Sequence, residues 1–297
     1  MTNQDQLQPV GAFAAPGNWY RGALHVHTTE SDGKQSPTEV LVRYRDAGYH
    51  FVCITDHGRV TITTGPDGLL VLPGIELGCG GGSPLKAWHF VGLGVAKPPS
   101  KNPETPRDIM KFLKGNARFV VAGHPYWSNL SGEDVAGLDG CDAVEVHNTV
   151  CGVEISRGGS EPAWDYALST KTRLMGVAVD DTHQKSADLG KGWVCVRAPE
   201  LSAEAIFAAL KAGNFYASTG PEILNFSRTA GRFMVITAPC RTISFMANSC
   251  YGVSHHAEPG RSLTQAEYRL QGPETYLRVQ CTDEAGRRAW TNPVYLT

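Results

Sequence analysis

The chain has 297 residues, enough for one large domain or for one domain with a small companion. Hydrophobic residues make up 41 %, and 33 glycines with 18 prolines fall well under the share that marks low-complexity chains, so disorder is excluded for most of the length. Charged residues are sparse at 19 %, and 27 Lys and Arg against 29 Asp and Glu leave a net charge of −2, which speaks against a basic nucleic-acid-coating protein. Ten histidines stand out against this charge-poor background. The start MTNQDQLQPV has neither a basic opening nor an apolar run of signal-peptide length, and no stretch approaches the roughly 18 apolar residues of a spanning helix, so a soluble cytoplasmic protein is expected. The eight cysteines form no CxxC pair, and several sit in apolar runs such as Phe51-Val52-Cys53-Ile54; reduced, packed thiols are expected.

Residues 1–19 read as an N-terminal extension. From 20 to 220, short apolar runs alternate with amphipathic stretches, the pattern of repeated β-α units. The predicted strands are 21–26, 50–55, 69–75, 89–95, 118–123, 143–147, 174–179 and 192–197. The predicted helices are 37–47, 103–114, 161–169 and 202–211, with capping signals at Ser36-Pro37-Thr38-Glu39 and at Ser202 and stops at Gly48 and Gly213. The glycine run 78–84 lacks the Lys-Ser/Thr ending of a phosphate-binding P-loop and reads as a surface loop. After Ser218-Thr219-Gly220-Pro221 the character changes: 221–297 carries short β-prone runs at 232–237, 242–247, 275–280 and 293–296, as in a small antiparallel β domain that caps the preceding one or supports an oligomer.

On this map the histidines group at strand ends. His25 and His27 end the first strand, His57 follows the second, His124 follows Val120-Val121-Ala122-Gly123, and His183 follows the strand through Val179. In a parallel β/α barrel the C-terminal strand ends converge on one face, so residues far apart in sequence meet there. His25 and His27 point to the same side of a strand, as do Asp181 and His183 by the same spacing. Asp56, Glu76 and His89 add acid and imidazole at loop mouths. An all-N/O set of His, Asp and Glu suits Zn, Fe or Mn, and it offers too many ligands for one ion; two or three ions bridged by a carboxylate such as Glu76 would use them all. Such a centre lowers the pKa of bound water and clamps the oxygens of a displacement at phosphorus. No GxSxG elbow supports serine chemistry instead.

His25-x-His27 with Ser31-Asp32-Gly33, Thr55-Asp56-His57, Gly74-Ile75-Glu76, Ala122-Gly123-His124-Pro125 and Asp181-x-His183, in this order, resemble the four-motif signature of the PHP (polymerase and histidinol phosphatase) superfamily over residues 20 to 220. Leu24 to Thr29, Gly190-Lys191-Gly192-Trp193-Val194 and 215–221 are similar to its CehA/McbA-type metallohydrolase branch. The resemblance implies a distorted (β/α)7 barrel with a two- or three-metal centre. It implies that His25, His27, Glu76 and Asp181 hold one ion, that Glu76 bridges to a second on His89 and His124, and that His57, His183 and Asp32 hold a third. Histidinol-phosphatase-like members place a His after the HxH; here Asp32 is the nearest counterpart.

Around this set, Asp56 reads either as a ligand or as an acceptor that orients a ligand histidine. Asp180 is expected to point away from Asp181, and Glu145 with His147 to share one strand face that lines the pocket. Arg59 and Lys185 are candidate binders of substrate phosphate oxygens. Tyr126-Trp127 reads as a packed loop or a stacking surface, and His50, His255 and His256 as unrelated to the centre. The expected function is metal-dependent hydrolysis of a small-molecule phosphoester. Carbamate or carboxyl-ester hydrolysis at the same centre, or a nucleic-acid-associated exonuclease or non-catalytic module, are the alternatives.

Overall fold

The computed structural model describes residues 6–80, 84–170 and 172–296; positions 81–83 of the glycine run fall outside the described residues. In chain order the strands of the first part are β1 (Gln8–Pro9), β2 (Asn18–Ala23), β3 (Phe51–Ile54), β4 (Leu70–Cys79), β5 (Trp88–Leu93), β6 (Phe119–Ala122), β7 (Ala143–Asn148), β8 (Met175–Val179), β9 (Trp193–Ala198) and β10 (Phe215–Ser218). The helices are α1 (Pro37–Asp46), α2 (Pro106–Asn116), α3 (Gly132–Ala136), α4 (Thr149–Ile155), α5 (Glu161–Ser169) and α6 (Ala203–Lys211). The second part adds β11 (Ile223–Arg228), β12 (Arg232–Cys240), β13 (Thr242–Ala247), β14 (Gly252–His256), β15 (Leu263–Arg269), β16 (Tyr276–Thr282), β17 (Arg288–Thr291) and β18 (Val294–Tyr295).

Local signals account for the predicted helices. Ser36 closes a capping box with Glu39 at the start of α1, Ser202 accepts from Ala205 N at the start of α6, and Gly48 and Gly213 take φ of +79° and +72° just beyond the ends. β3 and β6 are buried at every position, as expected of strands covered on both faces. α3 and α4 have no counterpart among the predicted elements: they are short and lack an amphipathic period.

The fold is mixed α/β. β2–β3–β4 and β6–β7–β8 pair in parallel, while β5 runs antiparallel to both β4 and β6, and β9 runs antiparallel to β2 and β10. The segments following β2 and β8 meet: Val26 bridges Thr182 in parallel, and Asp181 N donates to His25 O at 3.1 Å. The second part does not stand apart as an independent sheet. β13, β14, β16 and β17 extend the large sheet through the β10–β17 pairing, and β11, β12 and β15 form a second sheet together with β1. The N-terminal residues join it: Phe13 sits 6.0 Å from Tyr216 and 5.3 Å from Trp19, ring to ring, within the core of the second part. Among the described residues no helix is long and apolar enough to cross a membrane.

Candidate metal centre

β2 ends at Ala23, so His25 and His27 lie just beyond it, yet the alternation persists. Val26 packs against Val40, Leu41 and Tyr44 of α1, while the two imidazoles turn inward and bring their Nε2 atoms within 3.1 Å. His57 and Glu76 form a parallel bridge, and Asp181 follows β8. The antiparallel course of β5 explains His89: it stands near the start of its strand, and reversal of direction puts that start beside Gly78, near the ends of the parallel strands. A Cβ at Gly78 would lie 2.8 Å from two atoms of the His89 ring, so only glycine leaves room for that ring. His124 and Asp181 take φ of +26° and +53°. Left-handed backbone at non-glycine residues costs about 1–3 kcal/mol each and persists where the surroundings enforce it. Here Glu145 Oε2 accepts His124 N at 2.8 Å, and His25 O accepts Asp181 N.

The side chains gather into three groups whose ligand atoms lie within 4.8 Å of one another: His25, His27, Glu76 and Asp181; Glu76, His89 and His124; and His27, Asp32, His57 and His183. Glu76 links the first two through separate oxygens. Its Oε2 lies 3.1 Å from His25 Nε2, 3.0 Å from His27 Nε2 and 3.2 Å from His57 Nδ1, while Oε1 lies 2.7 Å from His89 Nδ1 and 3.4 Å from His124 Nε2. Asp181 Oδ1 stands 3.2 and 3.1 Å from the same two Nε2 atoms and is buried without a hydrogen-bond partner of acceptable geometry. Nitrogen and oxygen ligands about 2 Å from a central cation in a tetrahedron are about 3.3 Å apart. The spacing of the first group, its orphaned carboxylate oxygen and its hard N/O donors therefore fit a divalent ion.

A surrounding set of acceptors orients these rings. Glu145 is fully buried and accepts from His25 Nδ1 at 2.6 Å, which leaves Nε2 facing the group. His183 Nδ1 donates to the Asp181 carbonyl at 2.8 Å, and His124 Nδ1 is 3.0 Å from Ser128 Oγ. Asp56 touches no ring: it accepts from Thr28 N, Thr28 Oγ1, Ser31 Oγ and Thr61 Oγ1 and so pins the loop behind His27. Asp180 points away, accepting from the backbone N–H groups of Gly190, Lys191 and Gly192 and from Tyr44; burial pushes its carboxyl up to about 6 against those bonds.

Electrostatics follow the density of opposite charge. Burial disfavours the charged form of His27, but Asp181 and Glu76 outweigh it and raise its pKa to about 9. His25 is raised well above its ordinary value in the same way, by Asp181, Glu76 and Glu145 against burial. Glu76 and Asp181 are held well below the carboxylate range, again despite burial, by His25 and the neighbouring rings. Two buried carboxylates that stay ionised among imidazoles are what a divalent cation requires.

The groups open into a cavity of about 240 Å³ whose further lining is Trp127, Val150, Cys151, Glu154 and Lys185. Trp127 sets its ring 4.9 Å from His124 and 5.7 Å from His89, while Tyr126 is exposed. Lys185 reaches Asp32, at 3.4 Å. Arg59 does not line the cavity; it pairs with Glu30 at 2.8 Å on the surface. Glu145 and His147 do not share a face, because the register of β7 shifts between them: His147 turns toward Trp290, and burial lowers its pKa to about 4. His50, His255 and His256 lie outside the three groups. Sequence reasoning did not single out Asn148, whose Nδ2 donates to Glu145 Oε2 at 2.8 Å and Asp181 Oδ2 at 3.0 Å, or Asp188, which accepts from His183 N and Thr182 Oγ1. Asn148 between a strand and an apolar run is an N-cap signal that marks α4.

No described protein family matches the chain, and no curated protein does. Among solved structures, a two-domain protein from Bacteroides vulgatus ATCC 8482, described as containing a predicted PHP-like metal-dependent phosphoesterase, aligns over 99 % of this chain and 100 % of its own, with a TM-score of 0.54 at 15 % identity. An amidohydrolase from Chromobacterium violaceum, solved with sulfate and no metal, aligns over 65 % of this chain and 96 % of its own (16 % identity, TM-score 0.44). The first likeness shows a shared fold along the whole chain; at such identity it does not extend to the reaction.

Proposed function

We propose that the chain is a metal-dependent hydrolase of the PHP superfamily, in its CehA/McbA-type branch, acting on a small-molecule phosphoester in the cytoplasm with two or three divalent ions of Zn, Fe or Mn. The observation that carries this reading is the sharing of Glu76 between two donor groups through its two oxygens, with the orphaned Asp181 Oδ1 beside them. The fold held in common with a protein described as a PHP-like phosphoesterase supports it.

His25, His27, Glu76 and Asp181 would hold one ion, Glu76 with His89 and His124 a second, and Asp32, His57 and His183 a third, beside His27. Bound divalent ions supply Lewis-acid polarisation of a phosphoryl oxygen and ionise water near neutral pH. The chain itself supplies position. Glu145 keeps the His25 ring aimed inward, Asp56 fixes the loop behind His27, and Trp127 lines the cavity beside His124. Metal analysis of the purified protein together with turnover of p-nitrophenyl phosphate and its bis-ester tests the reading. A chain with no affinity for divalent transition metals overturns it.

One observation favours keeping ester or carbamate hydrolysis as a second reading. Among the described residues lining the cavity, Lys185 is the single Lys or Arg, and it already faces Asp32. A neutral acyl substrate needs less positive charge than a phosphate dianion. Faster turnover of an aryl carbamate than of an aryl phosphate at equal metal loading would decide for it.

A further inference from the structure

We infer that the Lys185 ammonium and a third divalent ion compete for Asp32, so that the outer donor group fills only when the lysine withdraws. The inference rests on reading the cavity as a metal centre. The groups differ in charge and in access. The first contains two carboxylates, Glu76 and Asp181, with side chains 1 % and 6 % exposed, and among the described residues neither pairs with a Lys or Arg. The outer group, His27, Asp32, His57 and His183, contains one carboxylate, and that of Asp32 is 46 % exposed.

Asp32 Oδ2 is approached from two sides. His183 Nε2 lies at 3.1 Å, with its lone pair left free because Nδ1 donates to the Asp181 carbonyl, and Lys185 Nζ lies at 3.4 Å. An ion held by Asp32 and His183 would therefore meet a positive charge across one carboxylate. The lysine is also kept near. Gln184 takes φ of +56°, donates from Nε2 to His27 O at 2.8 Å and accepts from Lys34 N and Gln35 N at 2.9 and 3.1 Å, which anchors the backbone next to Lys185 against the HxH loop. A tethered ammonium has a high effective concentration at its partner. Its side chain is 39 % exposed on a four-carbon stem, so it can swing into water when displaced. Among the described residues the inner groups have no such competitor.

Full-length protein stripped with chelator and titrated with Mn2+ at fixed pH, with bound ion counted by elemental analysis after equilibrium dialysis and free Mn2+ followed by electron paramagnetic resonance, tests this. Wild type is expected to hold two ions tightly. Lys185→Met, which removes the charge and keeps the stem, is expected to bind the third at least about tenfold more tightly than wild type, because a like charge across the carboxylate is gone. Asp32→Asn is expected to abolish third-ion binding with either residue at 185. Equal third-ion affinity in wild type and Lys185→Met overturns the inference and leaves the metal-centre reading intact. A chain that takes up no ion in any background overturns both.

Discussion

Glu145 has no free oxygen to offer a cation: Oε1 is taken by His25 Nδ1, and Oε2 by His124 N and Asn148 Nδ2. It aims two candidate ligands, His25 through its ring and His124 through its backbone. Glu145→Ala is expected to lower metal affinity by about 10- to 100-fold with the fold retained, measured by metal titration beside circular dichroism. The raised pKa of His27, about 9, has two consequences of opposite sign. In the metal-free chain its protonated form is stabilised by Glu76 and Asp181; that stability is fully present below the unfolded value near 6.5 and is lost as pH rises through about 9. Metal binding needs the neutral ring, so affinity should rise over the same window. Thermal unfolding of the metal-free chain and metal titration between pH 6.5 and 9 check this; parallel trends would contradict it. The candidate ligands were legible because few residue types offer hard N/O donors and because they sit next to apolar strands. Glu145, Asn148 and Asp188 were not legible in these roles, since a supporting carboxylate or amide differs from a surface one only by what lies opposite it.

At the scale of elements, the site depends on two local features. Asn148 caps α4 by accepting from Cys151 N at 3.0 Å while its amide binds Glu145 and Asp181. Asn148→Ala is expected to cost about 1 kcal/mol for the cap alone, read as a lower midpoint in denaturant with an unchanged slope. Gly78 on β4 leaves room for the His89 ring of β5. Gly78→Ala is expected to remove one bound ion per chain, that of Glu76, His89 and His124, while the His25 and His27 group keeps its own; elemental analysis reads the difference. The four predicted helices are all present, as are the apolar strands, with shifts of a few residues at their ends. α4 escaped because Thr149-Val150-Cys151-Gly152-Val153 favours extended structure locally; its cap and its packing beneath the cavity override that preference.

The whole molecule joins its two parts through buried charge as well as through the shared sheet. Arg278 of β16 is fully buried, donates from Nε and Nη2 to the two oxygens of Asp165 on α5 at 2.8 and 2.7 Å, and lies over the Trp164 ring. Arg288 of β17 pairs with Glu161 of the same helix. Removing one partner of a buried pair strands the other. Arg278→Ala is expected to destabilise the chain by about 3 kcal/mol, the low end for such pairs, because Asp165 keeps some solvent contact. Chemical denaturation reads it, and a change under about 0.5 kcal/mol, the range of ordinary surface substitutions, would show that the sheet alone holds the parts together.

By itself the sequence determined the apolar strands, the capped helices and the order of histidines and acids, because alternation, capping and donor chemistry act over a few residues. Tertiary structure alone decided that β5 runs antiparallel to both of its neighbours, that His147 turns away from Glu145, that Arg59 turns outward, and that 221–297 continues the large sheet. Those outcomes depend on pairing and burial between segments as distant as His25 and Glu145, 120 positions apart. Such contacts form only where the closed chain recovers the entropy of bringing them together, and no short-range pattern encodes that balance.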